Sequence, residues 1–395
     1  MPNNKIAVCS VGDPLAPSTW SGTPAFICRS LREMGRLNDT LDSSAYAHPR
    51  VQQIAQAASR YYYHCSYGTW RGRIERYLRA RYVNAFFRTR HSTDVLHTGT
   101  LDLPLPQLPS HIRHYLFFDT TWDLWRRYAG NTSFYNDKLQ ADAERLEQAS
   151  YRQMSHIFPI SEYARQNLIT HYNIPPERIT VVGTGRGAIK PYTGPKDYGN
   201  STILFVAKGR FEDKGGPLLV EGFKRACQRN SRLRLIVVGD ERYRKFIGDA
   251  QNVEVHGFVS LERLQDFFNR ASLFAMPAAN EPWGLVYLEA LSCKTPVLGL
   301  NRNSLPEITQ RGRFGFCLDD ATAGGVATAL LEAFRYPERL AKMGAEGQEY
   351  CLRRFTWEQT VKQIVDTIDA SRAVATRTVS RNQQLIDASL SHHNC

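Results

Sequence analysis

The sequence predicts an α/β chain built as two Rossmann-like units, each a parallel sheet flanked by helices. Three observations carry this. The apolar run Ile6-Ala-Val-Cys-Ser-Val11 is closed by Gly12, Asp13 and Pro14, and a helical pattern runs from Pro24 to Gly35; strand, long loop and helix in that order open such a unit. In the second half, apolar runs alternate with helical patterns, which implies parallel strands joined by right-handed crossovers. Between the halves, Gly183 to Asn200 is rich in Gly, Pro and polar residues and reads as a linker between domains.

Taken in order, the loop Ser18 to Pro24 lets backbone approach a ligand at Gly22, where only hydrogen projects. Residues 37 to 60 are poorly patterned, and no second strand can be placed there. Asp94 to His97 and His114 to Phe118 read as strands separated by the proline-punctuated loop Leu103 to Pro109. Ligands in open α/β sheets bind beyond the carboxyl ends of strands, so Asp119 is placed either to face a cleft or to cap the segment after it. A helix over 134–153 leads to a strand at Ile157 to Ile160. Ser161 then caps a helix running to about Tyr172, and Ile179 to Val182 is the last strand of this half. Beyond the linker, strands are expected at Ile203 to Ala207, Leu233 to Val238, Val253 to His256, Leu273 to Met276 and Val297 to Leu300. Helices are expected near 216–230, 242–248, 261–270, 285–294, 322–334 and 337–352, and one begun by Phe355-Thr-Trp-Glu358 and running to about Ala370. Ser371 to Cys395 is polar and expected to be loosely ordered. The chain thus divides into 1–190, 191–354, a crossover helix 355–372 and a tail 373–395.

A length of 395 residues suffices for two domains with their own cores, and 42% apolar with 22% charged residues is a soluble globular balance. No apolar run is long enough to span a bilayer, and Met-Pro-Asn-Asn-Lys lacks the apolar segment of a signal peptide. A cytoplasmic location is expected, with peripheral contact to the inner face of a membrane left open. The eight cysteines are scattered with no CxxC pair, which argues against a zinc site and a disulfide framework. The net charge is +12, and much of it lies between Arg60 and Arg90, where eight arginines and one acid, Glu75, are interleaved with aromatic residues. Ile74, Leu78, Tyr82, Ala85 and Phe86 recur at helical spacing, so this is a basic amphipathic helix. It packs on the core with a solvated basic face, or docks on anionic lipid headgroups, or binds nucleic acid, the last being the least expected.

Two stretches carry chemistry. Glu281 and Glu289 stand seven residues apart in Glu281-Pro-Trp-Gly-Leu-Val-Tyr-Leu-Glu289, the first in a loop after a short strand and the second on a helix starting near Gly284 or Leu285. The unpaired N–H groups of that helix's first turn make an anion site, and an acid at each edge suits a ligand bearing phosphate and hydroxyls. Gly209-Arg-Phe-Glu-Asp-Lys214-Gly-Gly216 comes directly after the first strand of the second half, and its two cations and bare glycines suit a diphosphate. Both motifs lie just beyond strands of one sheet, which puts them at the same edge.

With these motifs the chain resembles glycosyltransferase family 4. Gly209-Arg210 with Lys214-Gly215, Gly257-Phe-Val259, the stretch from Glu281 to Glu289, Pro296-Val and Leu305-Pro-Glu307 carry the likeness. Trp20-Ser-Gly22-Thr-Pro, Phe118-Asp119-Thr-Thr and Ile160-Ser-Glu162 extend it into the first half. The resemblance implies the GT-B fold, with two Rossmann-like domains facing across a cleft and a C-terminal helix returning to the N-terminal domain. It implies a nucleotide-sugar donor as co-substrate, no other cofactor and no metal. Arg210 and Lys214 would bind the diphosphate, Glu289 the ribose, and Glu281 with backbone at Trp283, Gly284, Leu285 and Val286 the donor sugar and distal phosphate. Backbone at Phe258 and Val259 would touch the base, Gly22 would approach the diphosphate, and Asp119 is a candidate where many relatives place a His near the donor sugar. Lys294 stands where the family commonly has glycine.

The expected activity is retaining transfer of a hexose to a sugar or lipid-linked acceptor. A sugar-nucleotide epimerase or phosphorylase on the same fold, or a catalytically silent basic protein binding nucleic acid or membrane, are the alternatives.

Overall fold

The structure is a computed structural model that describes residues 5–66, 68–90, 93–99, 112–128, 135–248 and 250–372. The first domain holds β1 (Ile6–Ser10), β2 (Leu37–Asp42), β3 (Asp94–Thr98), β4 (Arg113–Phe118) and β5 (His156–Pro159), in the order β2-β1-β3-β4-β5. The second holds β6 (Thr202–Val206), β7 (Arg234–Val238), β8 (Val253–His256), β9 (Leu273–Ala275), β10 (Val297–Leu300) and β11 (Gly315–Leu318), in the order β11-β10-β9-β6-β7-β8. Every paired neighbour runs parallel. The central strands are apolar runs buried on both faces, as parallel strands covered by helices must be, whereas the edge strands β2 and β8 are more polar and less buried. This is the GT-B arrangement.

In each sheet the order reverses beside the first strand. The loops after β6 and β9 therefore leave neighbouring strands in opposite directions, and the crevice between them is where such sheets bind ligands. The Lys214 and Glu281 stretches are those two loops. The helix over 357–372 returns to the first domain. There Asp369 receives both ends of the Arg36 guanidinium at 2.8 and 2.9 Å, Arg372 pairs with buried Asp94, and the Thr360 hydroxyl donates to the Val182 carbonyl at 3.3 Å.

Several expectations are corrected. Residues 37–60 contain β2 and most of the helix Pro49–Tyr63; β2 reads Leu-Asn-Asp-Thr-Leu-Asp because it is an edge strand with only one fully buried residue. Ile179 to Val182 is no strand and makes a single bridge from Ile179 to Ile157. β11 was not anticipated, its four residues being short and glycine-led. Residues 371 and 372 are helical, whereas the tail beyond 372 and the loop Leu103 to Pro109 lie outside the described residues.

The helix Arg73–Arg88 forms as its periodicity predicts but sits the other way round. Glu75, Arg76 and Arg79 are buried, Ile74, Leu78, Tyr82 and Phe86 are only half-buried, and Ala85 is exposed. Ala80, Val83 and Phe87 are buried on the same face, and polar partners inside the domain explain why the charged residues join them. Arg76 donates to the Ser150 hydroxyl at 3.1 Å, Glu75 accepts from Thr69 at 3.0 Å, and neighbouring Arg73 grips Asp142 at 2.8 and 2.9 Å. Buried charges are tolerated where they are paired in this way.

Candidate functional site

The Lys214 ammonium and the Glu281 carboxylate form an ion pair, their side chains 16% and 14% exposed. Gly215 allows the two loops to meet: it is left-handed, at φ +77°, and a Cβ there would run into the Pro277 carbonyl. Gly284, at φ +78°, ends the Glu281 loop and precedes the helix Leu285–Ser292. The loop between is pinned by three contacts. The Trp283 indole N–H donates to the Thr184 hydroxyl at 2.7 Å, the Tyr287 hydroxyl donates to the Met276 carbonyl at 2.9 Å, and Ser304 donates to the Pro282 carbonyl. The helix's first-turn amides are thus held toward a cavity of about 140 Å³ lined by Trp283, Gly284, Leu285 and Val286 together with Lys214 and Glu281.

The first domain closes the other side with Trp20, Ser21, Thr23 and Asp119. Trp20, Ser21 and Gly22 are consecutively left-handed, at φ 40°, 56° and 80°. For the two non-glycine residues that costs on the order of 1–2 kcal/mol each, strain of the kind that collects at binding sites. It aims the Trp20 side chain so that it donates a hydrogen bond to Asp119. Burial pushes the Asp119 carboxyl up to about 6, against the pull of that bond and of the nearby Lys214 charge. Burial, aided by the neighbouring Arg210 charge, brings Lys214 down to about 8.

Of the four residues expected to converge, Lys214 and Glu281 meet in the cavity. Arg210 is exposed on the same loop as Lys214 and paired with Asp213 at 3.1 Å, free of the cavity lining. Glu289 is engaged by the linker: its Oε1 accepts from the Ala188 N–H at 2.9 Å and the Ile189 N–H at 3.4 Å, and a Cβ at Gly187 would collide with it. Burial raises the Glu289 carboxyl, opposed by those amides and by Lys208. Phe258 is 75% exposed, Val259 is half-buried, and neither lines the cavity. Gly22 lies behind the lining as the residue that starts the helix Thr23–Glu33. Trp20, Ser21, Thr23 and Ile160 belong to stretches that carry the family resemblance, yet the sequence assigns a site role there only to Gly22, and none to Thr184 in the linker; the structure places all five in the cavity lining.

Hydrogen bonds join the domains beside the cavity. The Glu307 carboxylate accepts from the Glu162 N–H at 2.9 Å, and Asn280 donates to the Trp125 carbonyl at 2.9 Å.

Comparison with known proteins gives a matching picture. The family described as glycosyl transferases group 1 matches residues 194–350, and that described as Glycosyltransferase Family 4 matches residues 29–186. A D-inositol 3-phosphate glycosyltransferase of Rhodococcus opacus is 28% identical over 222 residues, 51% of this chain and 50% of that protein. A GDP-mannose-dependent alpha-(1-6)-phosphatidylinositol monomannoside mannosyltransferase of Mycobacterium tuberculosis is 29% identical over 176 residues, 40% of this chain and 46% of that protein. The chain spans about half the length of the curated relatives it matches. Among solved structures, sucrose-phosphate synthase from Thermosynechococcus elongatus superposes with a TM-score of 0.70 at 15% identity, covering 94% of this chain and 100% of that one, a likeness of fold.

Proposed function

The chain belongs to glycosyltransferase family 4, and from that premise we propose that it moves a hexosyl group from a nucleoside-diphosphate sugar to a hydroxyl of a sugar or lipid-linked acceptor, with retention and without a metal ion. The observation that carries this reading is the joining of Lys214 and Glu281 in a cavity at the start of the helix Leu285–Ser292, between two domains. The mannosyltransferase relative, named for action on a phosphatidylinositol mannoside, supports a lipid-linked acceptor, and the D-inositol 3-phosphate glycosyltransferase supports a polyol hydroxyl as the group attacked.

In this reading the donor's distal phosphate displaces the Glu281 carboxylate from Lys214 and takes the amides of Leu285 and Val286, where a cation and a helix terminus both favour negative charge. The released Glu281 carboxylate accepts hydrogen bonds from the sugar hydroxyls. Arg210, exposed on the same loop, swings from Asp213 onto the diphosphate, and Glu289 offers its second oxygen to the ribose. The bond from the anomeric carbon to the phosphate oxygen breaks as charge builds on the diphosphate. Lys214 and the amides stabilise that charge, work a divalent cation does elsewhere. The acceptor oxygen attacks from the face the phosphate leaves, and its proton passes to the departing phosphate oxygen. Asp119, ionised above about pH 6, faces the oxocarbenium-like centre from the first domain.

A thermal-shift screen with UDP, GDP and ADP and their sugars tests the donor site; a donor at a hundred times its dissociation constant adds about 2.7 kcal/mol. Release of nucleoside diphosphate only when acceptor is present supports transfer. Sugar conversion or diphosphate release without acceptor overturns it.

A further inference from the structure

We propose that the outer face of the helix pair Pro49–Tyr63 and Arg73–Arg88 docks on the surface of an anionic phospholipid bilayer. The inverted burial of the second helix is what exposes this face. Ten large apolar side chains are exposed among the described residues, and four of them, Val51 at 48%, Ile54 at 69%, Tyr61 at 82% and Tyr77 at 53%, lie on this one pair. On the first helix Val51, Ile54, Ala58 and Tyr61 succeed one another at spacings of three and four, which makes a single outward stripe.

The charge around the stripe is of one sign. Between them the two helices hold a single acid, Glu75, and it is buried facing inward. Arg50, Arg60, Arg81 and Arg88 are exposed, and among the described residues none of them forms an ion pair. Aliphatic and tyrosine side chains on helices where these four exposed arginines have no ion-paired acid among the described residues suit a headgroup layer, where the apolar groups enter the acyl boundary and the guanidinium groups meet phosphates. Val51 and Ile54 offer a nucleic acid neither a stacking face nor a hydrogen bond, which favours lipid over RNA. No helix among the described residues is long and apolar enough to cross a membrane, so the contact is peripheral.

The helix pair is connected to the candidate site through a buried relay. Arg71, just ahead of the second helix, lies 4.5 Å over the Trp122 ring and 4.8 Å over that of Trp125, and the Trp125 carbonyl holds Asn280, the neighbour of Glu281. That a docked bilayer presents a lipid-borne acceptor to the cleft rests on the transfer reading; the docking itself does not.

The test is co-sedimentation of the full chain with phosphatidylcholine vesicles, with and without phosphatidylglycerol, across a salt series. Binding that requires phosphatidylglycerol, weakens with salt and falls roughly thirtyfold in the double variant Arg50→Ala/Arg88→Ala supports the proposal, at about fivefold per arginine. Ile54→Ser/Tyr77→Ser lowers binding as well, by shedding apolar contact. All four positions are exposed, so both variants keep the parent melting temperature and the donor-induced thermal shift. Absence of vesicle binding, binding indifferent to phosphatidylglycerol or to both variants, or tight binding of a single-stranded RNA with the same arginine dependence and no vesicle binding overturns it. Loss of docking with the donor shift intact leaves the transfer reading standing, and the reverse result leaves docking standing.

Discussion

Lys214 and Glu281, on loops that leave adjacent strands in opposite directions, share one ion pair between the domains. Each is the other's counter-charge until a ligand supplies a better one, so removal of either has two effects that can be separated. Glu281→Ala leaves a cooperative fold with unchanged circular dichroism and lowers kcat/KM by about a hundredfold or more, the scale of losing one positioned polar group at a reacting centre. Lys214→Ala does the same chiefly by weakening the hold on the diphosphate. Glu281→Ala with parental turnover on a verified donor refutes the assignment.

The pH profile of transfer carries the signature of two groups. Asp119 has its pKa raised by burial to about 6 and is charged only above that pH; Lys214 has its pKa lowered by burial to about 8 and is charged only below it. Both charges coexist above about 6, so kcat/KM has an acid limb near that value and an alkaline limb at about 8 or above, since the paired Glu281 carboxylate favours the charged Lys214. Asp119→Asn flattens the acid limb and leaves the alkaline one. An unchanged acid limb in that variant would remove Asp119 from the reacting centre.

Two glycines on one loop separate conformational need from contact. Gly209 is left-handed at φ +74° with nothing within 4 Å of where a Cβ would stand, whereas the Gly215 Cβ would meet the Pro277 backbone. Gly209→Ala therefore costs about 1 kcal/mol of stability from backbone strain alone. Gly215→Ala costs more, because the two loops must part, and it separates Lys214 from Glu281. In the proposed complex Gly209 lies beside the diphosphate, so Gly209→Ala raises the donor KM by more than its stability cost explains. Denaturant melts and donor titrations of the two variants decide this.

Legible and hidden features of the sequence divide along physical lines. In the second half β6, β7, β9 and β10 are legible because they are apolar runs buried on both faces, and Glu281 and Lys214 because glycines stand beside them. β2 is not legible, since an edge strand need bury only Leu41 fully. The orientation of the helix Arg73–Arg88 is hidden because it depends on Ser150 and Asp142, which come from a distant helix. Glu289 is visible as an acid on a helix, but the partners of its Oε1 are main-chain N–H groups of the linker, which side-chain identities do not report.

Glu307 spans the cleft by accepting from the first N–H of the helix Glu162–Thr170, a helix cap supplied by the other domain. Glu307→Ala removes about 1 kcal/mol from domain closure and raises the donor KM about fivefold, while Glu307→Gln, which keeps an acceptor oxygen, stays near the parent. Small-angle scattering of the ligand-free alanine variant shows a larger radius of gyration. Equal KM values for parent and Glu307→Ala would mean that closure does not depend on this bond.

Lys294 occupies a left-handed position, φ 56°, where glycine would carry no strain. Its ammonium donates to the Thr193 carbonyl at 3.3 Å and the Gly194 carbonyl at 3.0 Å, tying the linker to the end of the helix that carries Glu289. The strain of about 1 kcal/mol and the two partly exposed hydrogen bonds of about 0.5–1.5 kcal/mol each oppose one another. Lys294→Gly loses both together and keeps its unfolding free energy within about 1 kcal/mol of the parent. Lys294→Ala keeps the strain and loses the bonds, so it is the less stable of the two. Urea melts of both variants give the order, and an alanine variant at least as stable as the glycine variant would show that the backbone here carries no strain for glycine to relieve.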